Sequence, residues 1–379
     1  MLSRVSRRRS FSRSERWPRG LLLAAALLVS GGCSTVSYYA QAVSGQIGVM
    51  AASRPLDDVL ADPRTAEPVR QRLRLLPELR RFATDELHLA ASRSYRTYAD
   101  LGREAMVWSV VATPADSLEP RQWCYPIVGC ASYRGYFDHA AAATYAAELT
   151  EQGWDVAVEP VPAYSTLGWF SDPVPSTVVD WPVAHIAGLI FHELAHETLY
   201  LPGDSAFNEA YASVVEREGV RRWLRQYGTP ESRLARRRAD KRRGEFLGLI
   251  DGARKSLQRL YAGDTGALQM QARKVEILGR LRAAYAAQKH AWGGYRGYDR
   301  WFERPLNNAR IASVSTYNRL SPVFESLLRQ VGADMPRFHA ECRALAVLPD
   351  AQRERRIQDL LRVATSRSKP MTTIVDRSE

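Results

Sequence analysis

A chain of 379 residues with 45% hydrophobic and 25% charged content has the composition of a globular protein and can bury one large core or two smaller ones. Its net charge of +12 is concentrated: residues 1–20 carry seven Arg against one Glu, Arg233 to Arg243 holds seven basic residues against Asp240, and the remainder balances near zero. That distribution excludes a uniformly basic nucleic-acid-binding surface, and the sequence contains no nucleic-acid-binding module.

Residues 1–33 read as an export signal. An Arg-rich start precedes the apolar run Leu21 to Val29, which is too short for a permanent membrane span. Ser30-Gly31-Gly32-Cys33 resembles the bacterial lipobox, with Ser30 where that pattern usually has Leu. Cleavage there would leave Cys33 acylated and the chain lipid-anchored in the bacterial cell envelope, facing the periplasm. An ordinary secretory signal is the alternative. Arg8-Arg9-Ser10-Phe11 partly matches a twin-arginine signal, and a plain basic segment explains it equally.

Residues 66–104 carry helical patterning through Val69, Leu73, Leu76, Leu79 and Phe82, with Pro77 placed to divide the run. Glu104 to Ala112 reads as a strand, Asp138 to Glu151 as a helix with Gly153 just past its end, and Trp154 to Pro160 as a second strand. Between them lie Cys124 and Cys130. In an exported protein this pair predicts a disulfide, and five intervening residues fit common zinc pairs poorly. Tyr133-Arg134-Gly135-Tyr136-Phe137 follows, with aromatics that suit a core. Ala163 to Pro173 reads either as an edge strand placed to hold an extended peptide or as a core strand and turn.

The stretch with the most chemistry is His192-Glu193-Leu194-Ala195-His196. On a helix, residues four apart share a face, so both histidines can hold one ion while Glu193 reaches a water as general base. Apolar residues Ile186, Ala187, Leu189, Ile190 and Leu194 support that helix, with Thr177 or Asp180 as its cap. The turn Leu201-Pro202-Gly203 ends it, and Asp204 or Ser205 can start another. That second helix carries Asn208 and Glu209, and Glu209 can supply a third ligand. Two His and one Glu leave a fourth position open on zinc. Glu216 and Glu218 compete with Glu209 on paper and rank below it.

Gln271 to Gln288 is strongly helical, Lys255 to Tyr261 reads as helical too, and Trp292 to Tyr298 is a Gly/aromatic break. The basic run from Arg233 reads as a solvated helix face, with contact to anionic lipid as the alternative. Asn307, Asn308 and Tyr317 either line a cleft or serve as caps and turns.

Taken together, these stretches resemble a bacterial family described as predicted aminopeptidases, over most of the chain after the signal. The resemblance rests on Trp123 and Cys124 to Cys130 with Tyr133 to Phe137, on Gly168-Trp169-Phe170 with Asp172-Pro173, on His192 to His196, on Phe207 to Ala210, and on Asn307 to Arg310 with Tyr317-Asn318. The Asn208-Glu209-x-x-Ala212 form is similar to the third-ligand helix of gluzincin metallopeptidases. The resemblance implies a membrane-anchored zinc peptidase with His192, His196 and Glu209 as ligands and Glu193 as base. The expected fold is α+β, mostly helical and zincin-like, with a small β-sheet before the active-site helix. The expected organisation is a signal over 1–33, one metallopeptidase domain over 34–365 and a flexible tail over 366–379.

Peptide or protein is the expected substrate. An aminopeptidase must also bind a free ammonium group. Candidates are Asp172, Glu197, Asn307 and Asn308, of which Glu197 points about 100° from His196 on the helix and Asp172 is preferred. Tyr317, Tyr164 and Tyr211 are candidates to steady an oxyanion. An endopeptidase, a small-molecule amidase and a non-catalytic envelope lipoprotein remain as rivals. The lipobox reading is checked with Cys33→Ala, which is expected to be soluble or to stay uncleaved; unchanged processing and membrane fraction would count against it.

Overall fold

The structure, a computed structural model, describes residues 19–125 and 129–367, with side chains for 36–125, 129–315 and 318–363. It opens with a long helix, α1 (Arg19–Ala52), then β1 (Ser53–Pro55) and three short helices, α2 (Leu56–Ala61), α3 (Glu67–Leu73) and α4 (Leu76–Asp85). Strands β2 (Thr97–Ala99) and β3 (Val107–Pro114) lead to a small hairpin, β4 (Trp123–Tyr125) and β5 (Gly129–Ala131), followed by β6 (Arg134–Tyr136), α5 (His139–Glu151) and β7 (Trp154–Val161). Then come β8 (Val174–Pro175), α6 (Ser176–Val179) and the motif helix α7 (Val183–Thr198). The rest is helical: α8 (Ser205–Tyr227), α9 (Pro230–Tyr261), α10 (Ala267–Ala291), α11 (Asp299–Glu303), α12 (Asn308–Asn318), α13 (Ser321–Gln330), α14 (Met335–Ala346) and α15 (Asp350–Arg367).

The fold is mostly helical with small sheets, as expected for an α+β chain. Strand β3 is the centre of one sheet, antiparallel to β6 and to β7, with β7 in register from Val107↔Val161 to Pro114↔Trp154. A second sheet joins β1, β2 and β8, and the third is the β4–β5 hairpin. Cys124 and Cys130 face each other across that hairpin and are bonded, while Cys342 is free and buried in α14.

Several expectations need correction. The helical pattern does not run to residue 104. Helix α4 ends at Asp85, and the chain then turns through Tyr95 (φ 59°) into β2, because the apolar spacing that sustained the helix stops at Leu87 and Leu89. Pro77 does divide the run, sitting in the first turn of α4 where its missing N–H costs nothing. Ala163 to Pro173 is neither an edge strand nor a core strand: it is a loop, with Leu167 and Gly168 both at positive φ. Helix α7 starts after Pro182 with no side-chain cap, and the Thr177 hydroxyl donates instead to the Pro162 carbonyl at 2.6 Å. Among the described residues no helix is long and apolar enough to cross a membrane. Cys33 lies in α1 with its side chain outside those described; residues 1–18 and 368–379, which hold the start of the expected signal and most of the expected tail, are outside the described chain.

The largest core surrounds α7 and α8. Ile186, Ile190, Phe191 and Leu194 of α7 meet Phe207, Tyr211, Val214 and Val215 of α8, and the pair is enclosed by Leu79 and Phe82 of α4 and Phe324 of α13. Phe82 stacks on Phe191 at 5.6 Å, and Phe207 meets Phe324 edge-on at 5.0 Å. A second core lies between α9 and α10, and a third between the β3 sheet and α5.

Two glycines set the spacing of α7 and α8. A Cβ on Gly219 would stand 2.6 Å from the Phe191 ring and 2.7 Å from Leu87, and one on Gly188 would stand 3.2 Å from the Glu216 side chain. The Gly219→Ala variant is therefore overpacked and is expected to lose about 1–3 kcal/mol, read as a lowered urea midpoint. A midpoint equal to the parent would show that α7 and α8 have room to spare.

Candidate active site

Helices α7 and α8 form a hairpin whose facing residues run in opposite order, with Gly188 beside Glu216 and Val220, and His192 beside Glu209 and Glu216. The turn between them is fastened at both ends. The Asp204 carboxylate accepts from Phe207 N at 2.9 Å and caps α8, as expected. The Asn208 side chain accepts from Leu201 N at 2.7 Å and donates to Leu201 O at 2.9 Å. Asn208 thereby fixes where the first turn of α8 begins, which is where Glu209 stands.

The result is a convergence of three side chains. One ligand atom each from His192, His196 and Glu209 lies within 4.8 Å of the others. His192 Nε2 is 3.2 Å from His196 Nε2 and 3.3 Å from Glu209 Oε2, and His196 Nε2 is 3.8 Å from Glu209 Oε1. Ligands about 2.0–2.1 Å from a tetrahedral ion stand roughly 3.3–3.4 Å apart. The donor set and its spacing thus fit one small tetrahedral cation.

The field at this point favours positive charge. Burial works against charge on His192, yet carboxylates on both sides, Glu209 and Glu216, overcome it and raise its pKa well above the usual range. Burial and the charge of His192 leave His196 less basic, at about 4, while Glu209 pulls the other way. Burial also opposes charge on Glu209, but the two histidines outweigh it and lower its pKa. Glu193 is buried, and desolvation pushes it up to about 7 against the pull of His192.

Glu216 is the residue whose role the sequence obscured. It is not grouped with the three convergent side chains; its Oε2 lies 3.4 Å from His192 Nδ1, the ring nitrogen turned away from them. If His192 holds a metal, an outer carboxylate in this place would fix the tautomer and raise the basicity of the ligating nitrogen. Burial opposes its charge, yet His192, Arg243 and Arg236 hold it down at about 2. The seven-residue spacing from Glu209, two turns along one face, was the available signal. Glu218 pairs instead with Arg221 and Arg222.

The remaining candidates are spread more widely. Asp172 is 3% exposed and its carboxylate accepts from Thr166 N at 2.8 Å, tying off the loop that holds Leu167 and Gly168. Glu197 lies under that loop: a Cβ on Gly168 would meet Glu197 Oε2 at 3.4 Å, and Glu197 Oε1 is buried with no hydrogen-bond partner. The helical angle that counted against Glu197 turns it towards this loop and towards Asp172, whose pKa it helps to raise. Asn307 caps α12 and donates to Val156 O at 2.7 Å. Asn308 is fully buried, accepting from Tyr261 and donating to the carbonyls of Pro114, Ala115 and Ser117. Both asparagines are thus engaged in holding α12 to the β3–β7 sheet. Tyr211 is buried with its hydroxyl 2.8 Å from His339 Nδ1, Tyr164 is hydrogen-bonded to Gln46, and the Tyr317 side chain lies outside those described.

A model of the family described as "Putative aminopeptidase" matches residues 37–357 of this chain. No curated protein and no solved structure matches it.

The buried loop carboxylate generates a pH prediction. Burial, and then Glu197, raise Asp172 to about 6 while hydrogen bonds from Thr166 oppose them, against about 3.9 in an unfolded chain. The native state therefore binds more protons between these values, so this group's contribution to stability falls as pH rises from 4 to 6 and stays low above. Asp172→Asn is expected to be more stable than the parent by about 1–3 kcal/mol at pH 8 and to lose that advantage at pH 4. Urea unfolding at the two pH values checks this, and a pH-independent difference would contradict it.

Proposed function

Because the chain belongs to this aminopeptidase family, we propose that it is a zinc-dependent peptidase that removes amino-terminal residues from peptides. The observation that carries the reading is the convergence of His192, His196 and Glu209 between two helices packed at their glycines. Two imidazole nitrogens and one carboxylate are a donor set that zinc favours, whereas magnesium and calcium favour all-oxygen sites. Zinc supplies a Lewis acid for the scissile carbonyl and lowers the pKa of water at its open position.

The chain's own residues do the rest. Glu193 follows the first ligand on α7 and is raised to about 7 by burial, so near neutral pH it can take a proton from the attacking water and return it to the leaving amine. Glu216 holds the His192 ring in orientation. For the substrate's ammonium group the proposed partner is Glu197, with Asp172 near it: Glu197 has a buried oxygen without a partner, and the loop between them exposes Trp169 (66%) and Phe170 (44%). A buried carboxylate pair is poorly solvated, so a bound cation gains more from it than from water-exposed acids. The zincin-like arrangement, acylation of Cys33 and a place in the bacterial cell envelope belong to the same proposal.

Elemental analysis should find about one zinc per chain, lost in His192→Ala and Glu209→Ala. Glu193→Gln should keep the metal while activity falls roughly 10²–10⁴-fold. A peptide with a free amino terminus should be cleaved and its acetylated twin spared. Full zinc in Glu209→Ala would end the metal assignment, and equal internal cleavage of both peptides would make this an endopeptidase.

A further inference from the structure

We propose that the Cys124–Cys130 hairpin is part of the active site and delivers Tyr133 as the hydrogen-bond donor to the negative oxygen that develops on the scissile carbonyl. The proposal rests on the peptidase reading above and adds to it a catalytic residue and a purpose for the disulfide.

The hairpin is pinned against the metal-site turn. Gly129 has φ 75°, and a Cβ there would stand 2.7 Å from Gly203 N and 3.2 Å from Gly203 Cα. Backbone therefore sits directly on backbone, at the Pro202–Gly203 turn between α7 and α8. This is the turn whose far side Asn208 fastens next to Glu209. The disulfide closes the hairpin across its Cys124↔Cys130 pair, and Tyr133 comes three residues later, just before β6.

Tyr133 stands at the bend between that hairpin and β6, where the chain leaves the turn it rests on. Arg134 packs its guanidinium over Tyr38 at 4.0 Å and Tyr145 at 4.6 Å, and Tyr136 is buried with Trp108 in the core over α5. The surroundings of Tyr133 are those of the three convergent side chains: desolvation raises its pKa first, and the negative charges of Glu209 and Glu193 add to it. Tyr133 is nevertheless 36% exposed, so a substrate can reach it.

Other tyrosines fit less well. Tyr211 and Tyr164 are already hydrogen-bonded, and Tyr95, although near Glu193, Asp172 and Glu197, is 1% exposed. Tyr200 is the nearest competitor, its ring 6.5 Å from that of His196.

The test compares Tyr133→Phe, Tyr200→Phe and the double Cys124→Ser/Cys130→Ser variant in the full chain. Removing one such donor costs roughly 10²–10³ in kcat. That loss is expected for Tyr133→Phe, with KM and bound zinc near the parent values; the double variant should lose kcat in the same direction, and Tyr200→Phe should lose less than Tyr133→Phe. A second readout is independent of turnover. In protein carrying ¹³Cζ-labelled tyrosine, the resonance missing from Tyr133→Phe should shift when zinc alone is added to chelator-treated parent. A Tyr133→Phe kcat within about threefold of the parent, or a resonance unmoved by zinc, would overturn the proposal. A parent that binds zinc but cleaves no peptide would sink the peptidase reading instead, while the zinc-induced shift would still decide where Tyr133 stands.

Discussion

The site depends on how closely α7 and α8 approach. Gly188 and Gly219 let each helix lie against side chains of the other, and Phe191 and Leu87 fill the space a methyl on Gly219 would need. Protein interiors are too dense to absorb such a methyl without moving something. The distances between Glu209 and the histidines are set by this packing, since Glu209 is carried on α8 and both histidines on α7. The core around the pair, from Phe82 to Phe324, makes that approach rigid.

Rigidity matters because the site gathers charge where water is scarce. Glu193, Glu209, Glu216, Asp172 and Glu197 all lie at or near the histidines. Burying like charges is costly unless cations or hydrogen bonds compensate. Here His192 lies between two carboxylates, Arg236 and Arg243 of α9 add their field to Glu216, and Thr166 donates to Asp172. The basic run of α9 therefore splits by position: Arg237, Arg238 and Lys241 are exposed as on a solvated face, while Arg236 and Arg243 are partly covered and contribute to the field around Glu216. A site arranged in this way is suited to a cation, since the compensation left unfinished is positive.

Segments far apart in the chain complete the surroundings. The disulfide hairpin rests on the turn between α7 and α8, and the loop from Thr166 to Phe170 covers Glu197. Both rely on glycine where a side chain would collide or the backbone must take positive φ, Gly129 in one and Gly168 in the other.

The sequence by itself determined what local spacing can determine. Residues four apart on a helix share a face whatever surrounds them, so His192 and His196 were legible as a pair, while Glu209, on the next helix, was read from its resemblance to a third-ligand helix. Asp138 and Asp204 were legible as caps because they act within three residues of themselves. The Cys124–Cys130 pair was legible too, since its partners are six residues apart. Tertiary structure decided the rest, because the deciding contacts are long-range. Asn307 and Asn308 read equally as cleft residues or caps until the carbonyls of Val156 in β7 and Pro114 in β3, 151 and 194 residues earlier, accepted from them. The loop at Ala163 to Pro173 read as a strand because β-propensity is largely a preference for a packed surface, and no neighbouring strand pairs with it. Glu216 and Tyr133 had no local signal strong enough to reveal them. One acquires its partner through the depth of a helix contact, the other through the way a hairpin sits on a turn 70 residues away.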